Sequence, residues 1–166
     1  MNNPAEPGQR LSGFLPIFNS QARVLILGSF PSEASLENQR YYAHPQNQFW
    51  KLLAQVLGEP LVELPYPRRL DVIKWHRIAL WDVYAVCERE GSLDAKITNA
   101  IPNDFLTLFS AAPNIKRIFF NGRTAGRFTP WFRERGYETQ VLPSSSPANA
   151  TLNFEQKLEF WREIAK

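Results

Sequence analysis

The sequence predicts an α/β fold, in which a parallel sheet carries helices on both of its faces. Four short apolar segments alternate with segments whose apolar residues recur at helical spacing, and this alternation is typical of a parallel sheet. The first two apolar segments are continuous, which favours strands buried on both faces. All four precede polar or turn-forming residues, so we expect those residues to meet at the carboxyl edge of the sheet, where such folds bind ligands.

The first half of the chain supplies two of these strands. The first strand is predicted over residues 24–27. Apolar residues at helical spacing predict a helix over residues 49–57, with Gly58 as its C-terminal stop. Three prolines then mark a loop, and a short helix leads to the second strand over residues 78–81. That strand ends at Asp82 and brings its carboxylate to the same edge.

The second half repeats the alternation. Ser92 is predicted to cap a short helix, and a one-sided helix follows over residues 105–112. The third strand covers residues 117–120, and the helix after it should be interrupted at Thr129, which precedes a proline. The fourth strand covers residues 138–142. A serine-proline loop and an amphipathic helix then close the chain.

Length and composition predict one globular domain. The chain has 166 residues, of which 44% are hydrophobic, and can bury a full core. Residues 1–12 are expected to be a flexible tail before a single domain over residues 13–166. One cysteine, Cys87, excludes an internal disulfide, and with only two histidines besides it excludes an all-cysteine zinc site or an iron–sulfur cluster. A cytoplasmic location is expected.

Hydropathy favours a soluble protein, and the net charge is compatible with a polyanionic partner. The N-terminus lacks the apolar core of a signal peptide, and no uninterrupted apolar stretch approaches the roughly 20 residues that span a bilayer. The formal net charge is +3 and the isoelectric point is near 9.2. These values are compatible with a polyanion, although the basic residues form no unbroken tract.

Several common chemistries lack their motifs in this sequence. Residues 28–32 contain neither a Walker A loop nor the spaced glycines of a dinucleotide fold. A serine hydrolase elbow is also missing, and although residues 144–146 with His44 and Asp82 can be drawn as a triad, no histidine follows these serines. The predicted edge offers few ligands for metal-dependent hydrolysis. A pocket with aromatic walls, a carboxylate and an amide remains, and such a set suits a flat heterocycle.

Three segments carry a specific resemblance. They are G-S-F-P-S at residues 28–32, Y-Y-A-H-P-Q-N-Q-F-W at residues 41–50 and L-P-S-S-S-P-A-N-A at residues 142–150. Their order and spacing resemble the uracil-DNA glycosylase superfamily, and within it the branch of hypoxanthine-DNA (DNA-deoxyinosine) glycosylases. The resemblance runs from about residue 13 to the end of the chain.

The resemblance implies a fold and an activity. The fold is a three-layer α/β/α sandwich around a four-stranded parallel sheet, in agreement with the elements predicted above. The activity is excision of a deaminated base, chiefly hypoxanthine, from DNA in base excision repair. Such enzymes flip the target nucleotide out of the helix and hydrolyse its N-glycosidic bond without a metal or another cofactor. Double-stranded DNA is the expected partner, with single strands left open, and a monomer is expected.

By the same resemblance, Asn47 and Asp82 are the expected catalytic residues. Asn47 matches the asparagine before Phe-Trp, an amide that holds water or a base carbonyl, and it also suits a helix N-cap, so both roles stay open. Asp82 occupies the position where relatives that recognise uracil have Asn. We expect it to act as a base or, when protonated, as a donor, with a simple cap as the alternative.

Five residues are expected to contact the base. Tyr42 matches the aromatic residue that stacks on a flipped base, and its alternative role is a core tyrosine. His44 should contact the base or a phosphate, or else buttress its loop. Ser29 and Phe30 complete the pocket floor. Asn121 reaches the edge, although Asn-Gly is also an ordinary turn.

The resemblance implies that two loops contact the DNA backbone, where their hydroxyls and N–H groups bind phosphates. The expected DNA-binding residues are Pro31, Ser32, Ser144, Ser145, Ser146, Pro147, Ala148 and Asn149. The chain also departs from the superfamily, because residues 29–31 lack the Asp or Asn that positions the attacking water, and no Leu or Arg wedge follows the serines. No lysine occurs in the pocket motifs, so no Schiff base and no lyase step are predicted.

Three other functions stay open. Excision of uracil is the nearest alternative. The missing carboxyl in the first loop motivates a non-catalytic protein that binds damaged DNA. The third is a hydrolase of free nucleosides, which would act without DNA.

Overall fold

The computed structural model describes residues 8–166. Its strands are β1 (Arg10–Ser12), β2 (Val24–Gly28), β3 (Ile78–Asp82), β4 (Tyr84–Glu88), β5 (Thr98–Pro102), β6 (Arg117–Asn121) and β7 (Glu138–Leu142). Its α-helices are α1 (Glu33–Asn38), α2 (Phe49–Leu57), α3 (Tyr66–Trp75), α4 (Phe105–Ala111), α5 (Arg123–Gly126), α6 (Thr129–Glu134) and α7 (Phe154–Trp161). Short 3₁₀ helices cover Leu61–Glu63, Asp94–Lys96 and Arg162–Ala165.

The four predicted strands form one parallel sheet in the order β3-β2-β6-β7. Their register places Gly28 beside Asp82 and Asn121 beside Leu142. The carboxyl ends of the strands therefore lie side by side, and the loops that follow them meet at one edge. The predicted α/β fold is confirmed.

Alternate residues of β2 pack into two separate cores. Val24 and Ile26 belong to a core with α2, α3 and α7 on one face of the sheet. Leu25 and Leu27 belong to a core with α4 and α6 on the other face. All five residues of β2 are buried, which explains why the strand is a continuous apolar run rather than an alternating one. The architecture has three layers, with helices on both sides of the sheet.

A second sheet, which the sequence analysis did not predict, joins three antiparallel strands in the order β1-β4-β5. Strand β5 is mostly exposed and contains Asn99 at φ 49° and a terminal Pro102, so its composition is that of a loop. The short helix predicted after Ser92 is present as a 3₁₀ helix over Asp94–Lys96, but the predicted cap is wrong, since Ser92 Oγ instead accepts from Glu33 N of α1.

Two other predicted boundaries change. The flexible tail predicted to end at residue 12 is wrong for residues 10–12, because β1 pairs with β4 there. Residues 1–7 of that predicted tail lie outside the described residues. The break predicted at Thr129 is confirmed, and Thr129 opens α6 while its hydroxyl donates to Gly126 O of α5. None of the helices within residues 8–166 is long and apolar enough to cross a membrane.

Candidate active site

One cavity of about 320 Å³ lies at the carboxyl edge of the parallel sheet. This volume is at the small end of the range for ligand pockets, about 300–1,000 Å³. The cavity is lined by residues 28–32, by Tyr42, Asn47, Asp82 and Asn121, and by residues 144–146 with Ala148 and Asn149. The structure thus gathers residues that are distant in the sequence, and most of those predicted for the site are among them.

The floor of the cavity is formed where Asp82 and Tyr42 approach Gly28. A Cβ atom on Gly28 would lie 2.6 Å from Asp82 Oδ1 and 2.9 Å from the Tyr42 hydroxyl oxygen. Both distances are too short for a side-chain carbon, so this position excludes every residue larger than glycine unless the two polar groups move. The glycine at the end of β2 therefore lets a carboxyl and a phenol converge on one point of the floor.

Asp82 is a buried carboxyl at the end of β3, and 4% of its surface is exposed. Its backbone oxygen accepts from Asn103 Nδ2 at 2.7 Å, while no residue within 8–166 donates to its buried Oδ2 atom. Burial, and then the negative charge of Asp94, raise the pKa of Asp82 to about 7, although the positive charge of Arg89 opposes this. Asp82 therefore exists as acid and as carboxylate near neutral pH.

This raised pKa predicts a pH-dependent stability. The folded protein holds a proton on Asp82 up to pH near 7, whereas an unfolded Asp releases it near pH 3.9. Between these values the contribution of Asp82 to the free energy of unfolding falls as pH rises, by at most about 1.4 kcal/mol per pH unit. Asp82→Asn removes this loss, so we expect its stability relative to the wild type to increase from pH 4 to 7 and then to level off.

Urea unfolding across this pH range measures the difference. Asp71→Asn, at an exposed carboxyl of α3, is the matched control for replacing a carboxyl by an amide. A stability difference between Asp82→Asn and the wild type that does not change with pH would contradict the raised pKa of Asp82.

Tyr42 is held by stacking within the protein. Its ring lies on Phe49 with a centroid distance of 3.8 Å and an interplanar angle of 12°, and its backbone is left-handed at φ 56°. Burial and the charge of Asp82 raise the pKa of the Tyr42 hydroxyl, so it stays protonated, and a hydrogen bond with Asn121 opposes the shift. One ring face is occupied by Phe49, and the Tyr42 side chain also lines the cavity.

Asn47 reaches the cavity from the start of α2. Its Oδ1 accepts from Phe49 N at 2.9 Å, although the N-cap of the helix is Gln48, one residue later. No described residue accepts a hydrogen bond from its Nδ2. The bond from Phe49 N fixes the amide plane, and a free donor remains on a residue that lines the cavity.

Asn121 and Ser145 form a reciprocal pair. Asn121 Nδ2 donates to Ser145 Oγ, and Ser145 N donates to Asn121 Oδ1, both at 2.9 Å. Gln48 N also donates to Ser145 O at 3.0 Å. Ser145 is fully buried, and its Oγ and backbone N both bond to Asn121. The predicted DNA contact of its side chain is therefore corrected. The pair ties the serine loop to β6 and α2.

The neighbouring serines shape the rest of this loop. Ser144 Oγ accepts from Ser146 N at 3.1 Å, and Ser146 Oγ accepts from Ala148 N at 3.2 Å. Asn149 Nδ2 donates to Ser144 O. Their hydroxyls accept within the loop while their hydroxyl hydrogens stay available, which is compatible with a phosphate contact.

The loop over residues 28–32 is fixed by residues from the second sheet. Ser29 Oγ donates to Asp94 Oδ1 at 2.6 Å, and Arg89 Nη2 donates to Pro31 O at 2.6 Å. The Arg89 guanidinium also lies 5.3 Å from the centre of the Phe30 ring. Ser32 caps α1 by accepting from Ser35 N. All four loop residues line the cavity, and each also has a structural partner.

Two predicted site residues lie elsewhere. His44 is absent from the cavity lining, and its Nδ1 accepts from Gln46 N at 3.1 Å, which is the buttressing role left open above. Pro147 is exposed and does not line the cavity. The proline is displaced because the turn over residues 146–149 points it outward.

One side of the cavity was not predicted from the sequence, and it is formed by Ser92, Leu93 and Asp94. These residues lie between β4 and β5, in the segment predicted as a short helix. No motif marks them, and only the pairing of β4 with β5 brings Asp94 to Ser29. Within residues 8–166 no three His, Cys, Asp or Glu side chains cluster as metal ligands would.

The arrangement supplies fixed donors and carboxyls around a small ligand. Asn47 offers a free amide N–H, Asp82 offers an acid or a carboxylate, and Asp94 offers a second carboxylate. Such groups can stabilise charge that develops on a departing heterocycle and on the sugar that it leaves.

Comparison with known proteins gives consistent results. Residues 15–165 match the family model described as the uracil DNA glycosylase superfamily. A hypoxanthine DNA glycosylase of Methanosarcina barkeri strain Fusaro is 41% identical over 93% of this chain and 97% of its own length. A hypoxanthine DNA glycosylase of Methanosarcina acetivorans is 43% identical over 92% of this chain and 96% of its own length.

A solved structure shares the fold. The solution NMR structure of a proposed uracil DNA glycosylase from Methanosarcina acetivorans has a TM-score of 0.85 and 41% identity, and the match covers 95% of this chain and 97% of that one. The curated relatives carry the name of the branch that the three motifs resemble, and the predicted family is confirmed. The chain belongs to the uracil DNA glycosylase superfamily.

Proposed function

We propose that this chain is a DNA glycosylase that hydrolyses the N-glycosidic bond of deoxyinosine and releases hypoxanthine. The observation that carries the proposal is Asp82, whose buried carboxyl has a free oxygen and faces a cavity of about 320 Å³. The two relatives named hypoxanthine DNA glycosylase support the choice of base. The proposed partner is double-stranded DNA, with single strands as a second substrate, and the proposed working unit is a cytoplasmic monomer.

The carboxyl of Asp82 suits the edge of hypoxanthine. When protonated, a carboxyl presents one donor and one acceptor side by side. Hypoxanthine presents the O6 acceptor beside the N1–H donor, so the two edges can form a pair of hydrogen bonds. Since the pKa of Asp82 is about 7, a large fraction of the protein carries this form at neutral pH.

Asn47 is placed to stabilise the base when its N-glycosidic bond breaks. The electrons of the C1′–N9 bond move onto the base, and a donor near the base stabilises that charge. The Nδ2 atom of Asn47 is free to donate, while its Oδ1 is held by α2. A base seated on the face of the Tyr42 ring opposite Phe49 would be aligned between Asn47 and Asp82.

Uracil is the second candidate substrate. The structural neighbour from Methanosarcina acetivorans is a proposed uracil DNA glycosylase. The O4 and N3–H groups of uracil also form an adjacent acceptor and donor, so Asp82 alone does not separate the two bases.

A panel of duplexes tests the function. End-labelled duplexes with one deoxyinosine, deoxyuridine, deoxyxanthosine or no lesion are incubated with the protein and a chelator, and are then treated with hot alkali. We expect alkali-dependent cleavage that is strongest at deoxyinosine and does not need a divalent metal. Cleavage mainly at deoxyuridine would select the second candidate, and binding without cleavage would show a non-catalytic damage-binding protein.

Two controls complete the test. No lysine lines the cavity among the described residues, so borohydride should trap no protein–DNA adduct, and strands should stay intact without alkali. Binding should weaken steeply as salt rises, because phosphate contacts release counterions. Release of hypoxanthine from free inosine at a rate insensitive to salt would identify a nucleoside hydrolase instead.

A further inference from the structure

We propose that Asp94 binds and activates the water that attacks the sugar, which makes it a further catalytic residue. The inference rests on the proposed function. Asp94 lines the same cavity as Asn47 and Asp82, although it comes from the connection between β4 and β5. Residues 28–32, which form the near wall, contain no carboxyl of their own. The carboxylate beside this wall is brought to it from the second sheet.

Asp94 is held by a hydrogen bond to Ser29, and the segments that carry these two residues are each fixed by further hydrogen bonds. Ser29 Oγ donates to its Oδ1 at 2.6 Å. Ser29 is fixed in turn, because its carbonyl oxygen accepts from Tyr84 N at 3.1 Å. Two residues before Asp94, Ser92 Oγ accepts from Glu33 N at 2.9 Å. No described residue donates to Oδ2 of Asp94, so this oxygen is oriented and left for a water.

The two carboxyls of the cavity have unlike surroundings. Asp82 is 4% exposed on the floor, whereas Asp94 is exposed at the side. Asp82 lies near the hydroxyl of Tyr42, and Asp94 accepts from the hydroxyl of Ser29. When environments differ in this way, one carboxyl can serve as acid while the other serves as base. Asp82 therefore faces the base, and Asp94 is the group placed for the water.

The step balances with these two groups. The oxygen of the water forms a bond to C1′, and the C1′–N9 bond breaks with its electron pair on the base. A proton of the water passes to the Asp94 carboxylate, and the proton of neutral Asp82 passes to the base. The products are free hypoxanthine and an abasic sugar, and proton exchange with solvent restores both carboxyls.

Chemical rescue tests the assignment. The full chain and its Asp94→Ala, Asp94→Asn and Asp71→Ala variants are compared on a deoxyinosine duplex by single-turnover kinetics, with and without formate. Loss of a general base predicts that both Asp94 variants release base about 100-fold more slowly than the wild type. Formate should accelerate Asp94→Ala, where it fits the space of the lost carboxyl, and should leave Asp94→Asn unchanged. Asp71→Ala should behave as the wild type.

The outcomes separate this inference from the proposed function. Fluorescence anisotropy should show that both Asp94 variants still bind the duplex, and circular dichroism should show that they are folded. Wild-type rates in either variant would overturn the role of Asp94, as would a slow Asp94→Ala variant that formate does not accelerate. If Asp94→Ala does not fold, the isosteric Asp94→Asn decides by its rate. A wild type that releases no base from any duplex would overturn the proposed function instead.

Discussion

Asn47→Ala is expected to lower the single-turnover rate of base release by about 100- to 1,000-fold, the usual loss when one preorganised donor is removed. The reason is that Asn47 Nδ2 is a free donor on the cavity wall, held in place by the bond from Phe49 N to Oδ1. DNA affinity should change little, because the proposed phosphate contacts lie in other loops. Single-turnover kinetics and anisotropy on a deoxyinosine duplex measure the two quantities.

A second variant separates chemistry from stability. Alanine also removes the acceptor for Phe49 N, and the loss of one hydrogen bond costs about 1 kcal/mol of folding free energy. Asn47→Asp keeps the acceptor for Phe49 N and loses the donor, so it should be as stable as the wild type and as slow as the alanine variant. Asn38→Ala, on the exposed face of α1, is the matched control. Base release at the wild-type rate in Asn47→Asp would remove the donor from the mechanism.

Gly28→Ala is expected to lower base release by about 100-fold, since displacements near 1 Å at a reacting centre have effects of this size. The new methyl group would lie 2.6 Å from Asp82 Oδ1 and 2.9 Å from the Tyr42 hydroxyl oxygen. Both groups must move away, and the floor that aligns the base changes with them. Single-turnover kinetics measures the loss.

Gly126→Ala is the control for the added methyl group. Its Cβ would lie 2.8 Å from Cγ2 of Val141, a side chain that is 42% exposed and outside the cavity lining. We expect Gly126→Ala to lower the melting temperature without a matching loss of rate. Equal losses of rate in the two variants would mean that Gly28 acts through stability alone.

Sequence patterns predicted the parallel sheet because its strands leave a strong signal. Each strand is short, apolar and buried against helices, so periodicity and composition agree. The second sheet leaves no such signal. Strand β5 is exposed, contains a proline, and is held by its pairing with β4 rather than by apolar burial. Pairing between distant segments depends on the tertiary fold, which local composition does not encode.

The candidate site divides along the same line. Asn47 and Asp82 follow predictable elements, so strand ends and motif resemblance placed them together. Asp94 could not be predicted, because its position depends on the unpredicted sheet. Ser145 was assigned to DNA because a serine loop resembles a phosphate contact, but its burial follows from Asn121, a partner 24 residues away. Residue type alone does not tell a phosphate ligand from a loop anchor.

The reciprocal bonds between Asn121 and Ser145 determine which molecule must adapt during binding. They define the shape of the serine loop before DNA arrives, so the loop loses little conformational entropy on association. Under the proposed function, we expect the duplex to bend and unstack to fit, and the free energy of that deformation depends on the base steps beside the lesion. Because the serine loop is held in one shape, the local flexibility of the DNA should contribute to recognition together with the altered base.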